Sequence, residues 1–291
     1  MPNKIVIGAG QMGPSSFIDG KVDKKDNVRR ILKLLEKGIL EKVKIICFPE
    51  LALTDYFPVR MDANFEYYFD QIPNDLTKDI FAFSQEHPIS VILPYAEFDG
   101  VSFYNSAGII HQGKLIGKYR KVHIPGAIVD PEVGLIISSE NQYFTTGNLG
   151  FPVFDLQGVK VGVQICYDRS FPEGYRALAL KGAQIVFNPT NTGYRKLAWR
   201  KTTWETFLTV RAFENNFFVV GVNKAGSENG LDYAGDTMVF NPIGGTVMVK
   251  SQTKDDELVV AEIDLDDIIK AKKLFPVFRD RNPSAYHSLI E

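Results

Sequence analysis

The sequence predicts a layered α/β fold (α/β, or mixed α+β) built as one domain over residues 1–291. Three observations carry this. Short runs rich in Val and Ile alternate with amphipathic helical periods from one end of the chain to the other. No Gly/Ser-rich, Pro-rich or low-complexity stretch breaks the alternation, so nothing marks a linker. A chain of 291 residues with 45% hydrophobic and 23% charged content can bury a large core without staples.

The elements follow in order. Residues 5–9 make a first strand running into Gly8-Ala9-Gly10-Gln11-Met12-Gly13. That glycine spacing superficially matches a dinucleotide-binding loop. Pro14, Ser15 and Ser16 stand where a helix should open, so no such cofactor is expected. Residues 26–43 show a helical period through Val28, Ile31, Leu32, Leu35 and Ile39. Residues 44–48 form a strand that runs straight into Pro49-Glu50. The aromatic segment 55–68 has no clear period. A helix over 74–86 and a strand over 89–96 come next, then a hairpin over 105–117 that turns at Gln112-Gly113-Lys114. Residues 127–139 read as a loop able to cover a site. A strand pair turning at Leu156-Gln157-Gly158 ends at Cys166, and a helix follows over 172–183. Then come a strand over 184–192, a long helix over 196–215, a strand over 216–222 and a loop at 223–226. Hairpin strands at 237–241 and 246–250, a strand at 257–264 and a helix at 265–274 complete the pattern. The tail, about 275–291, alternates aromatic, charged and proline residues without a period.

Net charge is -2, with no basic tail and no long charge block. Neither nucleic acid nor a membrane surface is expected as a partner. No apolar run approaches the ~20 residues that span a bilayer, and the N-terminus reads as a strand and not as a signal peptide. Only two cysteines occur, Cys47 and Cys166, so a disulfide framework is not expected and a reducing, cytoplasmic setting is.

Three residues at strand ends suggest chemistry. Cys166 closes a Val- and Ile-rich run at a sharp turn ahead of a helix. A helix N-terminus favours a thiolate, which suits a nucleophile; a small buried core residue is the bland alternative. Glu50 follows the 44–48 strand, either as a surface acid or as a base held by a strand end. Lys121 and His123 lie in Tyr119-Arg120-Lys121-Val122-His123-Ile124-Pro125. Spaced by two, they share one face of an extended chain, although a solvated basic face explains the cluster as well. Thiolate, carboxylate and cation are the groups that amide or ureido hydrolysis needs.

The segments Phe48-Pro49-Glu50-Leu51, Tyr119-Arg120-Lys121-Val122-His123-Ile124-Pro125 and Ile165-Cys166-Tyr167-Asp168-Arg169-Ser170-Phe171-Pro172-Glu173 resemble the three signature regions of the nitrilase (carbon–nitrogen hydrolase) superfamily, in that family's order. The resemblance extends over nearly the whole chain. It implies an α-β-β-α sandwich, self-association as a homodimer or homotetramer, and neither metal nor organic cofactor. It implies Cys166 as nucleophile, Glu50 as general base, Lys121 as stabiliser of the oxyanion together with the Tyr167 backbone N–H, and Glu140 as a second active-site glutamate. His123, Tyr167, Arg169 and Asn191 are the expected substrate-binding residues.

Within the superfamily, the 118–126 and 150–154 segments and the tail around Phe278, Arg279 and Tyr286 look like the N-carbamoyl-amino-acid hydrolases. An N-carbamoyl amino acid is the expected substrate. N-carbamoyl-D-amino-acid hydrolases carry two consecutive arginines after the nucleophile; here Arg169 is followed by Ser170, and Ser138 stands where those enzymes have a histidine. Arginine grips a carboxylate bidentately and serine does not. Arg195 is a candidate for the missing charge, or a solvated helix-start residue. A simple amidase, an omega-amidase-like activity or a β-ureidopropionase is the rival enzymatic reading. A non-catalytic binding subunit of the same fold is the rival of a different class.

Overall fold

The computed structural model describes residues 3–129, 134, 136–193 and 198–289. Arg195 lies outside the described residues. Two six-stranded sheets form the centre. The first runs Glu257–Asp264, Lys4–Gln11, Ile45–Cys47, Ser90–Phe98, Phe103–His111 and Lys114–Arg120. The second runs Val153–Leu156, Val159–Val163, Ile185–Thr190, Phe218–Asn223, Met238–Phe240 and Val247–Lys250. In each sheet three adjacent strands are parallel and the flanking ones antiparallel. The parallel strands therefore deliver their C-terminal ends to the same edge, where open α/β sheets place their ligands.

The strand sequences explain the layering. In Ile185–Thr190, Ile185 and Phe187 face a core shared with Ile45, Ile92 and Tyr119 of the first sheet, while Val186 faces outward onto helices. Both faces are buried, so these strands read as unbroken apolar runs. Helix α1 (Lys24–Leu40) and α2 (Lys78–Glu86) cover the first sheet through Val28, Ile31, Leu35, Ile80 and Phe81. Helix α3 (Pro172–Leu180) and α4 (Ala198–Asn215) cover the second through Tyr175, Leu178, Trp204 and Leu208. The result is the expected α-β-β-α sandwich.

Boundaries shift for local reasons. Helix α1 opens at Lys24 because the Asp23 carboxylate caps the N–H groups of Lys25 and Asp26. It ends where Lys42 turns at φ 59° and Val43 N–H bonds back to the Gly38 carbonyl at 2.8 Å. Helix α2 starts four residues later than its period suggests. Asn74 and Thr77 exchange backbone-to-side-chain bonds of 3.1 and 3.0 Å, a turn that competes with helix. The glycine segment at 8–13 contains no dinucleotide loop: it belongs to the Lys4–Gln11 strand and its exit, and a Cβ at Gly10 would lie 2.6 Å from the Phe48 ring. Glycine is needed there for packing. The 223–226 loop proves to be the start of a hairpin, Ala225–Glu228 with Leu231–Ala234. The 55–68 segment folds as a satellite core, with Phe57 stacked on Tyr68 at 4.1 Å and edge-on to Tyr143 at 5.0 Å. In the tail, Phe275 stacks on Phe213 of α4 at 4.5 Å and Arg176 of α3 lies over Phe278 at 4.9 Å. Among the described residues, no helix is long and apolar enough to cross a membrane.

Candidate active site

Two backbone strains mark the edge where the parallel strands end. Past Ile45–Cys47 the chain turns through Glu50, with Leu51 at φ 53°. Past Val159–Val163 it turns at Cys166 itself, at φ 46°. Non-glycine residues held there cost about 1–3 kcal/mol each and cluster at functional sites. Both turns are stitched in place. Ala52 N–H bonds to the Pro94 carbonyl at 2.9 Å, and Gln164 N–H to the Phe187 carbonyl at 2.9 Å.

Lys121 follows the Lys114–Arg120 strand. Its N–H donates to the Asn105 carbonyl at 2.8 Å, which continues the sheet one residue further. Its ammonium is fully buried and donates to Glu50 Oε1 at 2.8 Å and to both Glu140 oxygens at 2.7 Å. Asn105 Nδ2 donates to Glu50 at 2.8 Å and to Glu140 at 3.4 Å. Asn191 N–H donates to Glu50 Oε2 at 3.1 Å, and Asn191 Nδ2 to the Glu50 carbonyl at 2.7 Å. Tyr56 hydroxyl donates to Glu140 at 2.8 Å and meets Ser138 Oγ at 2.8 Å. The carboxylates are thus buried yet fully provided with donors, as buried charge requires.

Two carboxylates share one ammonium, and the titration of Glu140 reflects it. Burial pushes the Glu140 carboxyl up to about 7; Lys121 opposes this and the Glu50 charge adds to it. Lys121 is raised because the two carboxylates outweigh the burial that would lower it. Burial also raises the Cys166 thiol, with Glu50 adding and Lys121 and Arg169 opposing. The expectation of a thiolate favoured by a helix N-terminus is corrected here. A 3-10 turn, Cys166–Ser170, separates Cys166 from α3, and burial raises the thiol instead of favouring its ionised form. A base is needed to ionise it.

A cavity of ≈ 60 Å³ opens over the sulfur. Cys166, Tyr167, Arg169, Glu140 and Asn191 line it, so five of the expected residues meet there. Glu50 and Lys121 lie behind it, reached through Glu140 and Asn191. His123 does not line it: the ring stacks on Phe171 at 3.8 Å and bonds Asp168 at 2.7 Å. Asp168 is a residue the sequence left without a role. Fully buried, it also accepts from Ile165 N–H at 2.9 Å and Tyr119 hydroxyl at 2.7 Å, tying the Cys166 turn to the Lys121 strand. Tyr56, Asn105 and Arg200 were likewise unmarked. Arg200, in the first turn of α4, adds a cation to the cavity wall and donates to the Gly193 carbonyl at 3.3 Å. Ile128, Ile137 and Ser138, from the 127–139 segment, form another part of the wall. Ser170, where a second arginine was sought, is only partly buried.

The Lys121 position depends on a glycine. Gly147 N–H bonds the Lys121 carbonyl at 2.8 Å, and a Cβ there would lie 2.2 Å from the Arg120 carbonyl oxygen. Gly147→Ala is expected to displace the strand end, cutting kcat about tenfold or more and stability by roughly 1–3 kcal/mol. Steady-state kinetics and denaturant melts check this.

A family model described as carbon-nitrogen hydrolase matches residues 6–273. The chain belongs to the carbon-nitrogen hydrolase family. Its relatives include the nitrilase of Pyrococcus abyssi, 32% identical over 89% of this chain and 92% of that protein. The N-carbamoylputrescine amidase of Arabidopsis thaliana is 30% identical over 92% of this chain and 91% of that protein. Among solved structures, a carbon-nitrogen hydrolase from Helicobacter pylori G27 superposes with a TM-score of 0.84 and 26% identity, covering 99% of each chain. The nitrilase-superfamily resemblance and the sandwich fold both stand, and the chain is an enzyme of the carbon–nitrogen hydrolase type.

Proposed function

We propose that this carbon–nitrogen hydrolase cleaves an N-carbamoyl amino acid through a covalent intermediate on Cys166. The observation that carries the reading is the buried Glu50–Lys121–Glu140 cluster behind a cavity onto which Cys166 opens. Glu50 takes the proton from Cys166 Sγ, and the thiolate attacks the ureido carbon. The Lys121 ammonium and the Tyr167 N–H stabilise the oxyanion; that N–H precedes the first bonded amide of the turn, Asp168 to the Ile165 carbonyl at 3.0 Å. The carbon–nitrogen bond breaks, and the departing amine leaves with the proton held by Glu50. Water, deprotonated by Glu50, releases the carbamoyl group, which decomposes to carbon dioxide and ammonia. Glu140 holds Lys121 in place throughout. Tyr167 and Asn191 contact the substrate at the cavity wall, and His123 acts on the same wall through Asp168.

The ureido assignment is supported by the relative named for N-carbamoylputrescine and by the small cavity with Arg169 and Arg200 in its wall. Plain amides are the second reading, favoured by Ser170. Ammonia release over N-carbamoyl amino acids of both hands, β-alanine derivatives and simple amides decides between them. Carbamoyl substrates are expected to exceed matched amides in kcat/KM, and amide hydrolysis without carbamoyl hydrolysis overturns the assignment. The reading includes a homodimer or homotetramer in a reducing cytoplasm. Two free cysteines and the exposed apolar Leu180, Val210 and Leu274 on the outer helices support it, and light scattering tests the assembly.

A further inference from the structure

The Cys166 sulfur sits in a poor electrostatic setting for an anion. Glu50 and Glu140 both oppose its thiolate, and the one ammonium between them, Lys121, is already shared by those carboxylates at 2.8 and 2.7 Å. Two carboxylates against one ammonium leave a negative charge uncompensated. Among the described residues Arg169 also faces the sulfur as a cation, and the phenols of Tyr56 and Tyr175 are kept neutral by burial.

Arg169 reaches the reacting atom directly. Its Nη1 lies 3.6 Å from Cys166 Sγ and donates to the Cys166 carbonyl at 2.8 Å. The same nitrogen bonds Thr190 Oγ1 at 3.2 Å, and Nη2 bonds Thr192 Oγ1 at 3.4 Å. The guanidinium lies 5.3 Å from the Trp204 ring centroid, and the Arg169 carbonyl accepts from Arg211 at 3.3 and 3.1 Å. Nη1 has two hydrogens, and the protein already offers it three acceptors. Nη1, the nitrogen nearest the sulfur, is therefore committed to the Cys166 turn and to Thr190, while Nε is buried without a hydrogen-bond partner.

We propose that Arg169 is a catalytic residue serving the nucleophile through Nη1: its guanidinium stabilises the Cys166 thiolate that forms when the Sγ proton passes to Glu50. This rests on Cys166 as the nucleophile. The contact strengthens as charge moves onto sulfur, since the guanidinium then faces an anion in place of a neutral thiol.

The test is the pH dependence of Cys166 alkylation by iodoacetamide, a neutral reagent that reads the thiolate without any substrate. Cys47 is fully buried and does not compete. Arg169→Gln is expected to move the inflection up by about one pH unit and slow alkylation at neutral pH about tenfold, with Arg169→Lys recovering part of both. The kcat falls on neutral and carboxylate-bearing substrates alike. A wild-type alkylation profile in folded Arg169→Gln, with KM raised only for carboxylate-bearing substrates, overturns the proposal. Should Arg169→Gln fail to fold, the pair Thr190→Val and Thr192→Val loosens the guanidinium and is expected to shift the profile in the same direction by less; no shift there also overturns it. Were Cys166 not the nucleophile, Cys166→Ala would keep its turnover while the Arg169→Gln alkylation shift persisted, so the two failures are separable.

Discussion

Cys166→Ala is expected to lower turnover by about 10⁴-fold or more, because removing a covalent nucleophile leaves only binding and oxyanion stabilisation. Intact-mass measurement during turnover is expected to find an acyl or carbamoyl adduct on the wild type and none on the variant. Turnover near the wild-type rate would move the nucleophile elsewhere. The fold is expected to survive, since Cys166 is partly buried at the cavity floor and its side chain is small. Stability offers a second check on the same turn. Cys166 is held at φ 46°, a conformation in which alanine is as strained as cysteine and glycine is not. Cys166→Gly is therefore expected to be about 1 kcal/mol more stable than Cys166→Ala by denaturant melts, with equal loss of activity. Equal stability of the two variants would show that the turn carries no strain.

Lys121→Met is expected to be the most damaging single change to stability as well as to activity. It removes the only ammonium between Glu50 and Glu140 among the described residues, leaving two carboxylates buried against each other. Stripping one partner from a buried ionic group costs about 3–5 kcal/mol. The pH dependence identifies the cause. Glu140 is an acid whose folded pKa, about 7, lies above its ordinary 4.5. The folded state binds its proton more tightly than the unfolded state. Its stabilising contribution is therefore full below 4.5 and is lost as pH rises toward about 7. Without Lys121 the opposing ammonium disappears, so the Glu140 value rises further and the loss extends to higher pH. The stability gap between Lys121→Met and wild type is expected to widen from mildly acidic to mildly basic buffer. A gap that stays constant with pH would assign the loss to packing and not to charge.

Much of this site could be read in the chain because its residues sit at ends of strands, where an apolar run stops at a polar residue. Glu50, Cys166 and Asn191 each follow a buried parallel strand, and that local signal is physical: the C-terminal edge is where the sheet stops covering its own side chains. Asn105 and Tyr56 carry no such signal. Asn105 matters because sheet register sets its carbonyl opposite Lys121 N–H, so that one residue aligns the lysine and also holds Glu50. Tyr56 belongs to an aromatic segment without period, ordered by contacts with Tyr143 and Phe144 far along the chain. His123 was legible as part of the Lys121 motif, but its place is on Asp168, behind the Cys166 turn. The thiol shows how a local rule yields to its surroundings. A helix terminus acts over its first turn, whereas burial and two nearby carboxylates act on the sulfur directly and raise its pKa.

The sequence by itself determined the layered α/β pattern, the strand-end positions of the candidate base and nucleophile, and the class of chemistry those residue types allow. Strand periodicity, turns and motif spacing are local, and local sequence encodes them. Only the tertiary structure decided that Lys121 stands between Glu50, 71 residues away, and Glu140, 19 residues away, and that Arg169 faces sulfur. Those choices are Coulombic and act through space. Two carboxylates buried together need a shared cation, and a thiolate beside them needs another, so the packing of the two sheets fixes which charged side chains meet.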